Sequence, residues 1–291
     1  MQDTPPRRKN GLFFSKKVAF AGKDAKIGTE KQAARMLPAR AKEEIFMLFS
    51  RFSLLWFLSL GVTVALAVFL ALFFRSRSER EKRNFIGAFS IALFLFWILY
   101  KVWLYVVPDF EFEFWSELPF HLCNIAMPIA AIGAYKNSRV CQGICYFCCS
   151  IGAVFALLLP VDGFYDVPFL TPQGIGYWGY HFLVLLLCVS FVLLGVYHPR
   201  LSDIPKVCLT LFLIACGIHA LNLVLRATVY AEANYCYTFG LSGNPVTEFL
   251  CRLIPVPLLY LLPCLVLLMA ADLLLLLPTR PWKQKDVYFK I

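Results

Sequence analysis

Apolar residues run along this chain in long unbroken blocks, without the period of 2 or 3.6 that marks a half-buried strand or a surface helix. The blocks cover residues 53–74, 85–107, 119–134, 140–160, 175–197, 206–230 and 250–277. All but the third reach the length of about 20 residues that a helix needs to cross about 30 Å of hydrocarbon. The third is shorter and reads as a short span beginning in the interface or as a partly buried segment. The pattern predicts an all-α fold, a polytopic transmembrane helix bundle of about seven spans with a short third span. No repeat of 20–50 residues and no inverted pair of interrupted helices is visible, which weakens a standard secondary-transporter reading.

Composition agrees. The 291 residues are 60% hydrophobic and 16% charged, whereas a soluble domain carries about 25% charged residues. That excludes a soluble enzyme and a disordered chain. The net charge of +10 is not organised as a basic stripe interleaved with aromatics outside the apolar blocks, so membrane lipids, and no nucleic acid, are the expected partners. The 11 cysteines lie mostly inside the blocks with no signal peptide before them, and read as membrane-buried thiols rather than a disulfide scaffold. The oligomeric state is not encoded in any pattern of this kind.

Scored by Lys and Arg, the connections alternate. Arg75, Arg77, Arg80, Lys82 and Arg83 fill 75–84; Lys136 and Arg139 follow the third block; Arg200 and Lys206 follow the fifth; Arg280, Lys283, Lys285 and Lys290 lie in the tail. Connections 108–118, 161–174 and 231–249 have none. This puts the C-terminus in the cytoplasm and, if 53–74 spans, the N-terminus outside. The alternative is a cytoplasmic N-terminus with 53–74 re-entrant or interfacial. The chain thus divides into a basic N-terminal extension, 1–45, a membrane domain, 46–280, and a cytoplasmic tail, 281–291.

Ionisable residues inside spans are costly and are candidates for function. In this topology Lys101, His121, Cys123, Asn124, His181, His219, Asn222, Arg226 and Arg252 all fall in the outer half of the bilayer, and only Asp272 lies near the inner end. His219, Asn222 and Arg226 are spaced i, i+3, i+7 and share one helical stripe, so they can face one cavity. His121 and Cys123, at i and i+2, point apart on a regular helix, so a base for Cys123 has to come from another span; His181 is at a suitable depth. Plainer readings stand beside these. Lys101, Arg226 and Arg252 can snorkel to the headgroups, a single histidine can bridge helices, and Cys141, Cys145, Cys148 and Cys149 read better as small packing residues than as a metal or redox motif.

At Leu118-Pro-Phe-His121-Leu-Cys123 the sequence resembles the L-P-x-H-L-C motif of the YwaF-like integral membrane family, which includes transmembrane protein 164. Leu158-Leu-Pro-Val-Asp162, Gly179-Tyr-His181 and Asn234-Tyr235-Cys-Tyr237 resemble further motifs of that family in order, over about residues 46–280. Pro160-Val-Asp162 stands where many members have Thr-Pro-Asp. The resemblance implies a seven-helix domain in a membrane, a bacterial cell membrane by the wider family, and marks Asp162, Asn234 and Tyr235 as family-motif residues. It further implies a phospholipid acyltransferase with Cys123 as nucleophile and His181 as base.

On that reading His121, Asn124, His219 and Asn222 are oxyanion or orienting groups, Arg226 and Arg252 hold the lipid phosphate, and no cofactor or metal is expected. Two alternatives remain open: a non-catalytic lipid- or small-anion-binding protein or transporter, and a metal-dependent lipid hydrolase built on His121, His181 and His219, since catalytic zinc commonly takes three protein ligands.

Overall fold

The computed structural model describes residues 48–107, 112–160, 164, 166–240 and 245–276. The extension 1–45, Asp162 and the tail 281–291 lie outside the described residues. The described chain is almost wholly helical: α1 Leu54–Phe73, α2 Glu79–Val106, α3 Leu122–Tyr135, α4 Arg139–Leu158, α5 Pro172–Leu193, α6 Leu201–Thr228, α7 Pro245–Leu253 and α8 Leu259–Leu276. All of these except α3 and α7 are long and apolar enough to cross a membrane, and α3 is a shorter apolar helix. The expected bundle with a short third span is what the chain forms. It is an integral, multi-pass membrane protein.

Local chemistry explains where the helices start. Ser53 caps α1 by accepting the Trp56 N–H. Ser78 and Glu81 form a reciprocal capping box, Glu81 N–H to Ser78 Oγ at 3.3 Å and Ser78 N–H to Glu81 Oε2 at 2.9 Å. This draws Arg80, Lys82 and Arg83 into the first turns of α2, ahead of the apolar block at 85. Thr171 caps α5, with Pro172 next, where a missing N–H costs nothing.

One boundary is corrected. Residues 250–277 do not form a single helix: α7 ends at Leu253, and α8 starts at Leu259. Pro255 and Pro257 supply no N–H to continue the ladder, and Leu258 turns to φ +64°. Arg252 therefore closes a separate short helix instead of opening the last span.

The core lies on α4 and α5, where 61% and 67% of the apolar stretch is buried, against 6% for α1. Both central helices contain wide π-turns, Ile144–Cys149 in α4 and Pro172–Gly179 in α5. The α4 turn buries all six of its residues, Cys145, Cys148 and Cys149 among them. At its N-terminus Arg139 grips Asp203 with both Nε (2.9 Å) and Nη2 (2.6 Å), and Tyr197 donates to the same carboxylate at 2.9 Å. That knot fastens α4 to the first turn of α6 and to the connection before it. A small antiparallel pair, Leu48–Phe49 with Val167–Pro168, seats Phe49 against Trp178 at 4.9 Å.

Candidate active site

Cys123 sits in the first turn of α3. His121 is the N-cap, and its carbonyl accepts the N–H groups of Asn124 (2.9 Å) and Ile125 (3.0 Å). Pro128, inside α3, removes the N–H that would otherwise bond the Asn124 carbonyl. Tyr180 of α5 ties this turn down: its hydroxyl bridges the Asn124 side-chain oxygen at 2.9 Å and the Cys123 carbonyl at 3.0 Å. The Cys123 thiol also donates to Asn124 Oδ1, at 3.7 Å. Asn124 is buried, and its one amide oxygen orients the thiol and anchors the tyrosine.

His181 follows Tyr180 and is buried. Its Nδ1 is 2.7 Å from the Tyr177 carbonyl. A carbonyl oxygen has no proton to give, so Nδ1 carries the hydrogen and Nε2 keeps the lone pair. Tyr177 and Tyr180 flank the ring at 4.4 and 5.3 Å between centroids. No hydrogen bond joins Cys123 to His181 among the described residues; the thiol is turned to Asn124.

Lys101 of α2 completes the group. It forms an ion pair with Glu117, and its ammonium lies 4.6 Å from the Tyr100 ring centre and 5.9 Å from that of Trp97. Tyr100 reaches this position because Gly176 faces it: a Cβ on Gly176 would stand 2.0 Å from the tyrosine ring.

The α6 stripe does point one way together, but toward the chain's own loop. Asn222 donates to the Tyr235 carbonyl and Thr238 Oγ1, both at 2.9 Å, and accepts the Tyr235 N–H at 3.0 Å. His219 Nδ1 bonds Thr238 Oγ1 at 3.0 Å and its ring lies against Phe239. Arg226 donates to the Ala233 carbonyl at 3.1 Å and covers Phe239 at 4.6 Å.

Asn234 closes the same loop, donating to Gly240 O at 2.7 Å and accepting Phe239 N–H at 2.9 Å. The loop lies over the start of α3. His121 packs against Tyr235 and Tyr237, at 5.6 and 5.1 Å, and the Cys236 thiol donates to the Phe120 carbonyl at 3.2 Å. Burial pushes that thiol up to about 12. Cys236 and Tyr237 both take positive φ, +51° and +54°, so the loop holds a strained backbone in place.

Arg252 is exposed and pairs with Glu248 at 3.9 Å. Asp272 is fully buried beside Tyr146, Cys148 and Cys208, with neither carboxylate oxygen hydrogen-bonded among the described residues. Among the described residues no group of three or more His, Cys, Asp or Glu is placed to hold a metal ion, and His219 is engaged with Thr238 and Phe239, so the three-histidine centre does not assemble. Sequence reasoning passed over two contributors, Tyr180 as the anchor of Asn124 and Glu117 as the partner of Lys101. Both pairings join distant parts of the chain, and no spacing announces them.

A family model, the TMEM164 family, matches residues 48–276. No curated protein and no solved structure matches the chain.

Proposed function

This chain belongs to the TMEM164 family, and on that premise we propose that it is a membrane phospholipid acyltransferase that works through Cys123 and His181. The observation that carries the reading is the contact of His181 Nδ1 with the Tyr177 carbonyl. It holds the Nδ1–H, which leaves Nε2 as a free base, one residue along the chain from the tyrosine that bridges Cys123 and Asn124.

On substrate binding the thiol exchanges Asn124 for His181 Nε2 and gives it its proton. The sulfur attacks an ester carbonyl of a glycerophospholipid. Collapse breaks the ester C–O bond, His181 returns the proton to the leaving glycerol oxygen, and a lysophospholipid departs from an acyl-thioester on Cys123. A second lysolipid hydroxyl then gives its proton to His181, attacks the thioester and takes the acyl group, and the sulfur regains its proton. The Asn124 side chain and the Lys101 charge favour the negative charge that develops during each attack. His219, Asn222 and Arg226 serve this reading by holding the loop above His121.

The test is acyl exchange between a labelled phospholipid and a lysophospholipid by purified protein in nanodiscs, read by mass spectrometry. Wild type should exchange acyl groups and form a hydroxylamine-sensitive adduct; Cys123→Ala should do neither. Exchange undiminished in Cys123→Ala would end the proposal.

A further inference from the structure

Acyl transfer requires that a lipid reach Cys123 from the bilayer. An open groove of about 360 Å³ runs along α2, lined by residues that include Trp97, Lys101, Val102, Tyr105, Phe112 and Phe114. Val102, Tyr105 and Phe114 are more than half exposed, a surface suited to acyl chains and to no aqueous ligand. Lys101 is the one charged residue in this lining. It lies about 8 Å along the helix from the end of α2 at Val106, with its ammonium on the ring of Tyr100, which packs on Gly176 of α5, little more than one turn before His181. One side chain thus lines an apolar groove and rests on the tyrosine that packs against the helix carrying His181.

We propose that this groove binds the substrate phospholipid, with one acyl chain along Trp97, Val102 and Phe114 and the phosphate on Lys101 in place of Glu117. The exchange is of one anion for another, so the half-buried ammonium is never left uncompensated. Glu117, in the connection just before α3, acts as a stand-in for the phosphate that releases the lysine when a lipid arrives. An acyl chain in the groove and a phosphate on the lysine bring the glycerol esters toward the sulfur. The proposal takes its substrate class from the acyl-transfer reading, but it concerns binding and is tested without turnover.

The test uses the full chain carrying Cys123→Ala, in phosphatidylcholine nanodiscs, with a phosphatidylcholine probe bearing a diazirine in its acyl chain. Adducts should fall on the peptide covering 97–105. Adding Lys101→Met should lower this labelling about tenfold, the worth of one charge-assisted phosphate contact, while Glu117→Gln should raise it. A diazirine diacylglycerol, which has no phosphate, should label wild type and Lys101→Met alike. Equal phosphatidylcholine labelling in Lys101→Met, or adducts confined to other helices, overturns the proposal. If Lys101→Met does not fold, Glu117→Gln decides, and labelling that does not rise overturns it. Labelling that follows this pattern while wild type shows no acyl exchange would sink the enzymatic reading and leave the groove standing; exchange by wild type with labelling indifferent to Lys101 would do the reverse.

Discussion

Two groups of polar residues stand out in this apolar chain, one on α6 and one around Cys123, and they use their hydrogen-bonding capacity in opposite ways. On α6, Asn222 makes three bonds, His219 one and Arg226 one, all of them to residues 233–238 of the loop that follows. Around Cys123 the bonds leave capacity over: the thiol leans on a long contact to Asn124, and His181 spends one nitrogen and keeps the other. Within a membrane both groups attract attention for the same reason, the cost of burying polarity. The difference separates a clamp from a candidate reaction centre, because capacity left over is what a substrate can use.

The contrast breaks most sharply at Cys123. Cys123→Ala should lower acyl exchange by about 10⁴-fold or more, as loss of a nucleophile does, and His181→Gln by about 10²- to 10⁴-fold, with little change in thermal unfolding for either. If Asn222→Ala, normalised to folded protein, lost as much exchange, the two groups would be one site.

Next in size is a property of the loop. The Cys236 thiol, raised from 9.0 to about 12 by burial, should react with maleimide at pH 8 about a thousandfold more slowly than a free thiol, in proportion to its thiolate fraction. A fast reaction would show that the loop is not held down.

Asn222→Ala should destabilise the protein by about 3 kcal/mol, roughly 1 kcal/mol for each of its bonds. Faster amide exchange across 229–240 should accompany the loss and stay confined there. An unfolding midpoint equal to that of wild type would remove the clamp.

The smallest effect is expected at Tyr180→Phe. Exchange should fall about tenfold, equivalent to about 1.4 kcal/mol, since Asn124 loses its anchor while the ring still packs. A loss as large as that of Cys123→Ala would make Tyr180 part of the chemistry.

Much of the fold was legible because span length is dictated by bilayer thickness, and apolar blocks report it directly. The capping box at Ser78 and Glu81 and the prolines at 255 and 257 were also written in the chain, but an apolar block overrides neither by eye nor by count until the backbone donors are followed. The π-turns were not legible: a period of 3.6 residues per turn gives no sign that Ile144–Cys149 winds wider and buries Cys145, Cys148 and Cys149 together.

For the candidate site, the spacing of His219, Asn222 and Arg226 correctly gave a shared stripe and said nothing of what it met. Cys123 and His181 stood out through a family motif. Tyr180 looked like one more aromatic, because its partner Asn124 lies 56 residues away in the chain.

The close approach of Gly176 to Tyr100 has a mechanical consequence. The ring fills the place where any other residue would put a carbon, so α2 and α5 cannot slide past each other at this level without expelling it. Lys101 is the neighbour of Tyr100, and His181 follows Gly176 by little more than one turn. The separation of the lysine's helix from the histidine's is therefore set at a contact that only a glycine hydrogen permits.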